Sequence, residues 1–224
     1  MAIILSGDFN ADEVASKVYE QFAYMKRKDV PEYKFEDEEP RNVERKIEVT
    51  GPSQEMIMLG YRLPGAGTKD LLTAKLVDLI LSNSNAGLID LNLNQKQLVL
   101  EAGSSIEDMK DHSLFYIYGQ PKSGQSLDTV KSLVLNEIER LKRGEFDFNL
   151  VKDIILNKEI SELKAYKDNG TRCMFLMDNF IKGIDHQNAI NELYEMSQIS
   201  KEEIIRVANE YLGNDRVAIY KYKG

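Results

Sequence analysis

Two imidazoles, His112 and His186, and one thiol, Cys173, make up the whole histidine and cysteine content of this 224-residue chain. A hydrolytic zinc site needs three protein ligands and an open position for water. One compact way to build it is H-x-x-E-H, which sets two histidines one helical turn apart with a water-activating glutamate beside the second. That motif is absent, and neither histidine has a second within four residues. His112 follows Lys110-Asp111 at an expected strand start and reads as a surface residue. His186 follows Gly183-Ile184-Asp185 and reads as a helix-cap or loop residue. No residue is therefore assigned a catalytic or metal-binding role, and the substrate-binding positions stay unassigned.

Weaker signals fail on spacing. Gly65-x-Gly67 lacks the third glycine of a phosphate loop. Gly103-Ser104-Ser105 lacks the order of a nucleophile elbow. Asp108 and Asp111 could share a surface cation, but a solvated loop is the reading we favour. Met56, Met58, Met174 and Met177 could form a pliable surface; core packing is the simpler role. Cys173, inside the apolar run 173–177, is expected as a small core residue and has no partner for a disulfide.

With 29 basic and 37 acidic residues the formal net charge is −8. Such a chain repels phosphate backbones, so nucleic acid is not an expected partner. The local basic runs Lys26-Arg27-Lys28 and Arg140 to Arg143 fit solvated helix ends. No apolar stretch reaches the roughly 18 residues of a membrane span, so no membrane partner is expected. The first eight residues lack the basic front and long apolar core of a signal peptide and read as the interior of a longer protein. The compartment stays open between cytoplasm and periplasm.

The elements that would position any site are legible from periodicity. Ile3-Ile4-Leu5 reads as a short buried strand. Asn10 and Glu13 make a capping box for a helix with Val14, Val18, Tyr19, Phe22 and Met25 on one face. Residues 28–44 are polar and read as a linker. Strands are expected at 46–50, 54–63, 97–105, 112–119 and 216–223. Helices are expected from Thr68 to Leu81, from Ser126 to Gly144, from Phe146 to about Tyr166, over 171–181 and over 201–212. A short helix or turn is expected at 88–93. Paired strands and clustered helices predict an α+β fold with a largely antiparallel sheet covered by helices.

The order of these elements resembles the carboxyl-terminal half of a pitrilysin-type (insulinase-like, inverzincin) zinc metallopeptidase. Ile4-Leu5-Ser6-Gly7-Asp8-Phe9 is similar to the strand and helix start that end such a family's first repeat. Met58-Leu59-Gly60-Tyr61-Arg62-Leu63-Pro64, the helix 72–81 and the segment 200–220 are similar to the opening and close of its second. The resemblance implies a LuxS/MPP-like architecture. It also implies three parts: 1–27 as the end of a preceding repeat, 28–44 as linker and 45–224 as a non-catalytic repeat. Zinc is then expected in a catalytic repeat elsewhere and not in this chain. The implied role is to pack against that repeat, on the same polypeptide or a separate subunit, and to help enclose peptide substrate. The alternative is an inactive assembly module, as in respiratory-complex core subunits, acting as a homodimer or with a fixed partner. An independent enzyme with an unrecognised site is a third reading.

Overall fold

The computed structural model describes residues 2–31, 34, 36 and 42–224. The acidic stretch 37–39 of the expected linker lies outside them. Five strands form one sheet: β1 (Arg45–Gly51), β2 (Met56–Pro64), β3 (Glu101–Glu107), β4 (His112–Gln120) and β5 (Val217–Lys223). Their order is β1-β5-β2-β4-β3, which leaves β1 and β3 at the edges. Only β1 and β5 run parallel; the other three ladders are antiparallel. The expected α+β fold is what forms.

Alternation decides which face is covered. Ile57, Leu59, Tyr61 and Leu63 of β2 are all buried. Phe115 and Ile117 of β4 and Ala218 and Tyr220 of β5 lie on the same side and are buried with them. Helices pack here: α2 (Lys69–Leu81), α3 (Leu127–Lys142) and α7 (Lys201–Tyr211) directly, with α4 (Leu150–Ala165) and α6 (His186–Ser197) outside α2. Helix α2 is apolar nearly all round and fully sandwiched: Leu76, Ile80 and Leu81 have no exposed surface. Helix α3 lies close against the sheet at Gly119, where any side chain would collide with Val130.

The caps expected from sequence form. Asn10, Thr68, Ser126 and Ser200 each accept a hydrogen bond from a backbone N–H in the first turn of the helix that follows.

Four expectations are corrected. Ile3-Ile4-Leu5 is not a strand here; Ile3 is 42% and Leu5 51% exposed. Strand β3 starts at Glu101, because Leu98 N–H bonds the Leu93 carbonyl to close the π-helical turn Asp90–Asn94. Helix α6, capped by Asp185, fills a stretch for which no element was expected. Met174 and Met177 are exposed on α5 (Asn169–Lys182) rather than in the core.

Candidate functional site

Every second residue of a strand points away from the helices. On β2 these are Met58, Gly60 and Arg62, and none of the sheet-packing helices covers them. Across the ladders one row reads Ser105, Tyr116, Gly60, Val217, Arg45. The next reads Gly103, Tyr118, Met58, Ile219, Ile47. Over the middle of this face lies an open groove of about 870 Å³. Its floor and walls include Met58, Gly60, Leu114, Tyr116, Val217 and Ile219. Arg45, Arg62, Arg216 and His112 line it as well, with Glu210, Tyr211 and Asp215 at the α7–β5 corner.

The rim is held by ion pairs. Glu44 receives hydrogen bonds from Lys131 of α3 and from Arg216 Nε at 2.8 Å, which ties the start of β1 to α3 and β5. Burial alone would raise the Glu44 carboxyl, but the two cations outweigh it and hold the pKa below the usual value. Burial lifts the Tyr61 phenol to about 12, against the opposing charge of Arg216. At the far corner Tyr211 Oη donates to Asp70 Oδ2 at 2.7 Å, and Arg206 bonds the same carboxylate.

A second, smaller cavity of about 270 Å³ sits between α2, β3, α4 and α6. Lys75, Asp78, Asp108 and Lys158 line it. Asp78 Oδ1 is buried without a hydrogen-bond partner among the described residues. Burial pushes this carboxyl up to about 6, with Ser104 opposing. Asp108 is held by Lys75 at 3.0 Å and by Lys182. It is therefore a half-buried ion-pair partner rather than the free loop acid expected beside Asp111.

The two histidines do not meet. His112 opens β4 beside the groove, and His186 is the exposed first residue of α6. Cys173 is partly buried, its Sγ 3.9 Å from the Ile4 carbonyl. Gly65 packs against the carbonyls of Lys110 and Asp111, and Gly67 (φ +80°) leads into α2, so this pair shapes a corner. Gly103 of the Gly103-Ser104-Ser105 run lies under Tyr118, which bonds Glu101 at 3.0 Å. Among the described residues no three His, Cys, Asp or Glu side chains gather where they could hold a metal ion. Also among them, no helix is long and apolar enough to cross a membrane.

Sequence reasoning did not find the groove. Its residues are ordinary strand residues, and only the strand order and the one-sided helical cover bring them together. Gly60, a glycine inside a strand, was the one local signal.

An α+β domain with helices on one face of its sheet and, among the described residues, no cluster of metal ligands is the class that fold and site define. Residues 1–156 match the family model described as the peptidase M16 inactive domain, and the chain belongs to that family. A protease from Helicobacter pylori has the same fold at a TM-score of 0.87 and 19% identity. That match covers 97% of this chain and 54% of the other. An M16-like peptidase from Alicyclobacillus acidocaldarius matches at TM-score 0.77 and 15% identity, over 97% of this chain and 53% of that one. The inactive peptidase domain of a zinc protease from Bordetella parapertussis matches at 0.66 and 18%, over 75% of this chain and 92% of the other. The chain thus spans about half the length of the first two. No curated protein matches the sequence.

Proposed function

We propose that this chain is the non-catalytic repeat of a zinc metallopeptidase, and that it works by packing against a metal-bearing repeat and walling one side of a peptide chamber. The observation that carries this reading is an apolar surface left bare. Ile3, Leu5 and Phe9 are exposed, and so are Tyr19, Phe22 and Met25 in and after α1 (Ala11–Phe22). Helix α5 adds Met174, Met177, Phe180 and Ile181. The two regions adjoin, because Ser6 bonds Arg172 at 2.8 Å and Asn169 at 3.3 Å. So much clustered apolar surface marks an interface. On this reading 1–27 completes the preceding repeat, 28–44 links, and 45–224 is the repeat itself. The groove lies on the face of the sheet opposite α2 and α3, and it is the surface along which a peptide would run.

Zinc has no place in this part of the assembly, since the residues here do not fit it. A repeat that carries H-x-x-E-H, on the same polypeptide or on a separate subunit from the same genome, is the expected companion. Co-expression followed by light scattering on a sizing column tests the pairing. A one-to-one complex is expected. A stable homodimer that ignores the companion would favour the assembly-module reading instead.

A further inference from the structure

Strand β1 is one edge of the sheet, and two bonds at its ends fix its backbone phase. The Arg45 N–H donates to the Arg216 carbonyl at 2.9 Å, and the Gly51 carbonyl accepts from the Gly224 N–H at 3.0 Å. In a parallel ladder alternate residues turn both backbone groups to the neighbour. Arg45, Ile47, Val49 and Gly51 therefore face β5, while Lys46, Glu48 and Thr50 turn theirs outward. No described strand pairs with that outer row. The side chains add a second regularity. Lys46 Nζ stands 2.7 Å from the Glu48 carboxylate and 4.4 Å from the centre of the Tyr220 ring, on the helix side of the sheet. Both side chains are half exposed. Ile47 and Val49 point to the other face, and Val49 is exposed. Two further charges near this edge are engaged elsewhere: Glu44 holds Lys131 and Arg216, and Lys221 reaches Ser53.

We propose that β1 pairs antiparallel with β1 of a second copy of this chain, about a two-fold axis through Ile47, joining two five-stranded sheets into one. Backbone phase and charge select this register together. With Ile47 opposite Ile47, Lys46 of each copy lies opposite Glu48 of the other, and these outward-facing residues exchange N–H and C=O groups. Each Glu48 then sits between its own lysine and that of the other copy. An axis at Glu48 sets glutamate against glutamate, one at Lys46 lysine against lysine, and one at Arg45 arginine against arginine. Like charges directly opposed are destabilising. An axis at Val49 leaves Lys46 opposite Pro52, beyond the strand. In the chosen register Ile47 meets Ile47 in a closely spaced pair and Val49 meets Arg45, so no guanidinium faces another. Such an isologous contact closes at two copies. A strand of 7 residues makes a small interface, so the pairing is weak. It also leaves the metal-bearing repeat its surface. Helix α5 is tied through Lys182 to Asp108 beyond β3, at the opposite edge of the sheet. The two contacts coexist, and one-to-one stoichiometry with the companion is kept.

Sedimentation velocity on the full chain, over a roughly hundredfold range of concentration, reads the pairing. A shift from monomer to dimer is expected. Amide exchange at the two ends of that range locates the contact. The Lys46 and Glu48 amides should slow by about tenfold or more in the dimer, while those of Ile47 and Val49, already in the ladder with β5, should change little. Lys46→Glu and Glu48→Lys each oppose like charges and should weaken dimerisation by about fivefold or more, and the double reversal should restore it. The exchange pattern needs no variant, so the test holds even if a substitution unfolds the chain. A chain that stays monomeric at every concentration overturns the proposal. So does protection of the same two amides by an added extended peptide without dimerisation, which would give the edge to a peptide. A dimer indifferent to the charge reversals, or one whose protected amides lie on α1 or α5, overturns it as well. A monomer throughout leaves the pairing with the metal-bearing repeat standing, since co-expression reads that separately.

Discussion

Val130 Cγ1 on α3 stands 2.5 Å from the point that a Cβ on Gly119 would occupy. That gap is closer than two carbon atoms tolerate, so the missing side chain sets how closely α3 lies on β4. The same sheet has Gly60 one strand over on its other face, where a Cβ would make only ordinary contacts, with Leu114 Cδ1 at 3.6 Å and the Val217 carbonyl at 4.0 Å. Two glycines in adjacent strands thus differ: Gly119 is required by the approach of a helix, whereas Gly60 has room for a methyl group.

Gly119→Ala should destabilise the chain by about 1–3 kcal/mol through overpacking. Gly60→Ala should stay within about 0.5 kcal/mol of the native chain. Urea denaturation compares them directly. Equal losses would show that both positions are packed alike.

Asp78 gives a pH signature. Its carboxyl is held near 6 when folded, against 3.8 for the ordinary group, so the folded state binds the proton more tightly. Its contribution to stability is present below about pH 4 and is lost as pH rises through 6. Asp78→Asn mimics the protonated form. It should match the native chain at pH 4 and exceed it by about 1–3 kcal/mol at pH 7. Denaturation curves at several pH values read the difference, in which the other carboxylates cancel. A gap that does not change with pH would contradict the assignment.

Asp108 ties α5 to the body. It holds Lys182 of α5 and Lys75 of α2, and Lys75 also reaches Glu192 of α6. Asp108→Asn leaves Lys182 with Asp178 alone and Lys75 with Glu192 alone, at a cost of about 0.5–1.5 kcal/mol. Hydrogen exchange over residues 169–182 should speed up more than exchange over α2. Uniform acceleration would mean that α5 is not separately anchored.

Metal should find no home here. After dialysis against Zn²⁺ and desalting, the chain should retain well under one ion. His112→Ala and His186→Ala should leave that value unchanged, because the two residues sit on different elements. One tightly held zinc per chain would refute the non-catalytic assignment.

Much of the fold was legible because local signals agreed with one another. Thr68 as cap, the all-apolar helix after it, and the alternation of 56–63 point to α2 and β2 without tertiary information. The failures share a cause. Ile3-Ile4-Leu5 reads as a strand from its apolar run, yet a strand needs a neighbour, and these residues are left exposed. Met174 and Met177 read as core because helix α5 is apolar on more than one side, and periodicity does not say which side is covered. Helix α6 carried a signal: Asp185 as cap, then Ala189, Leu193 and Met196 at helical spacing. Its polar composition hid it. The groove was not legible, since it depends on β5 inserting between β1 and β2.

Peptide hydrolysis tests the central claim most directly. A quenched fluorescent peptide should be cleaved when the H-x-x-E-H polypeptide and this chain are combined with Zn²⁺, slowly or not at all by the former alone, and never by this chain alone. Zinc-dependent cleavage by this chain in isolation, or full activity of the other polypeptide without it, would contradict the account.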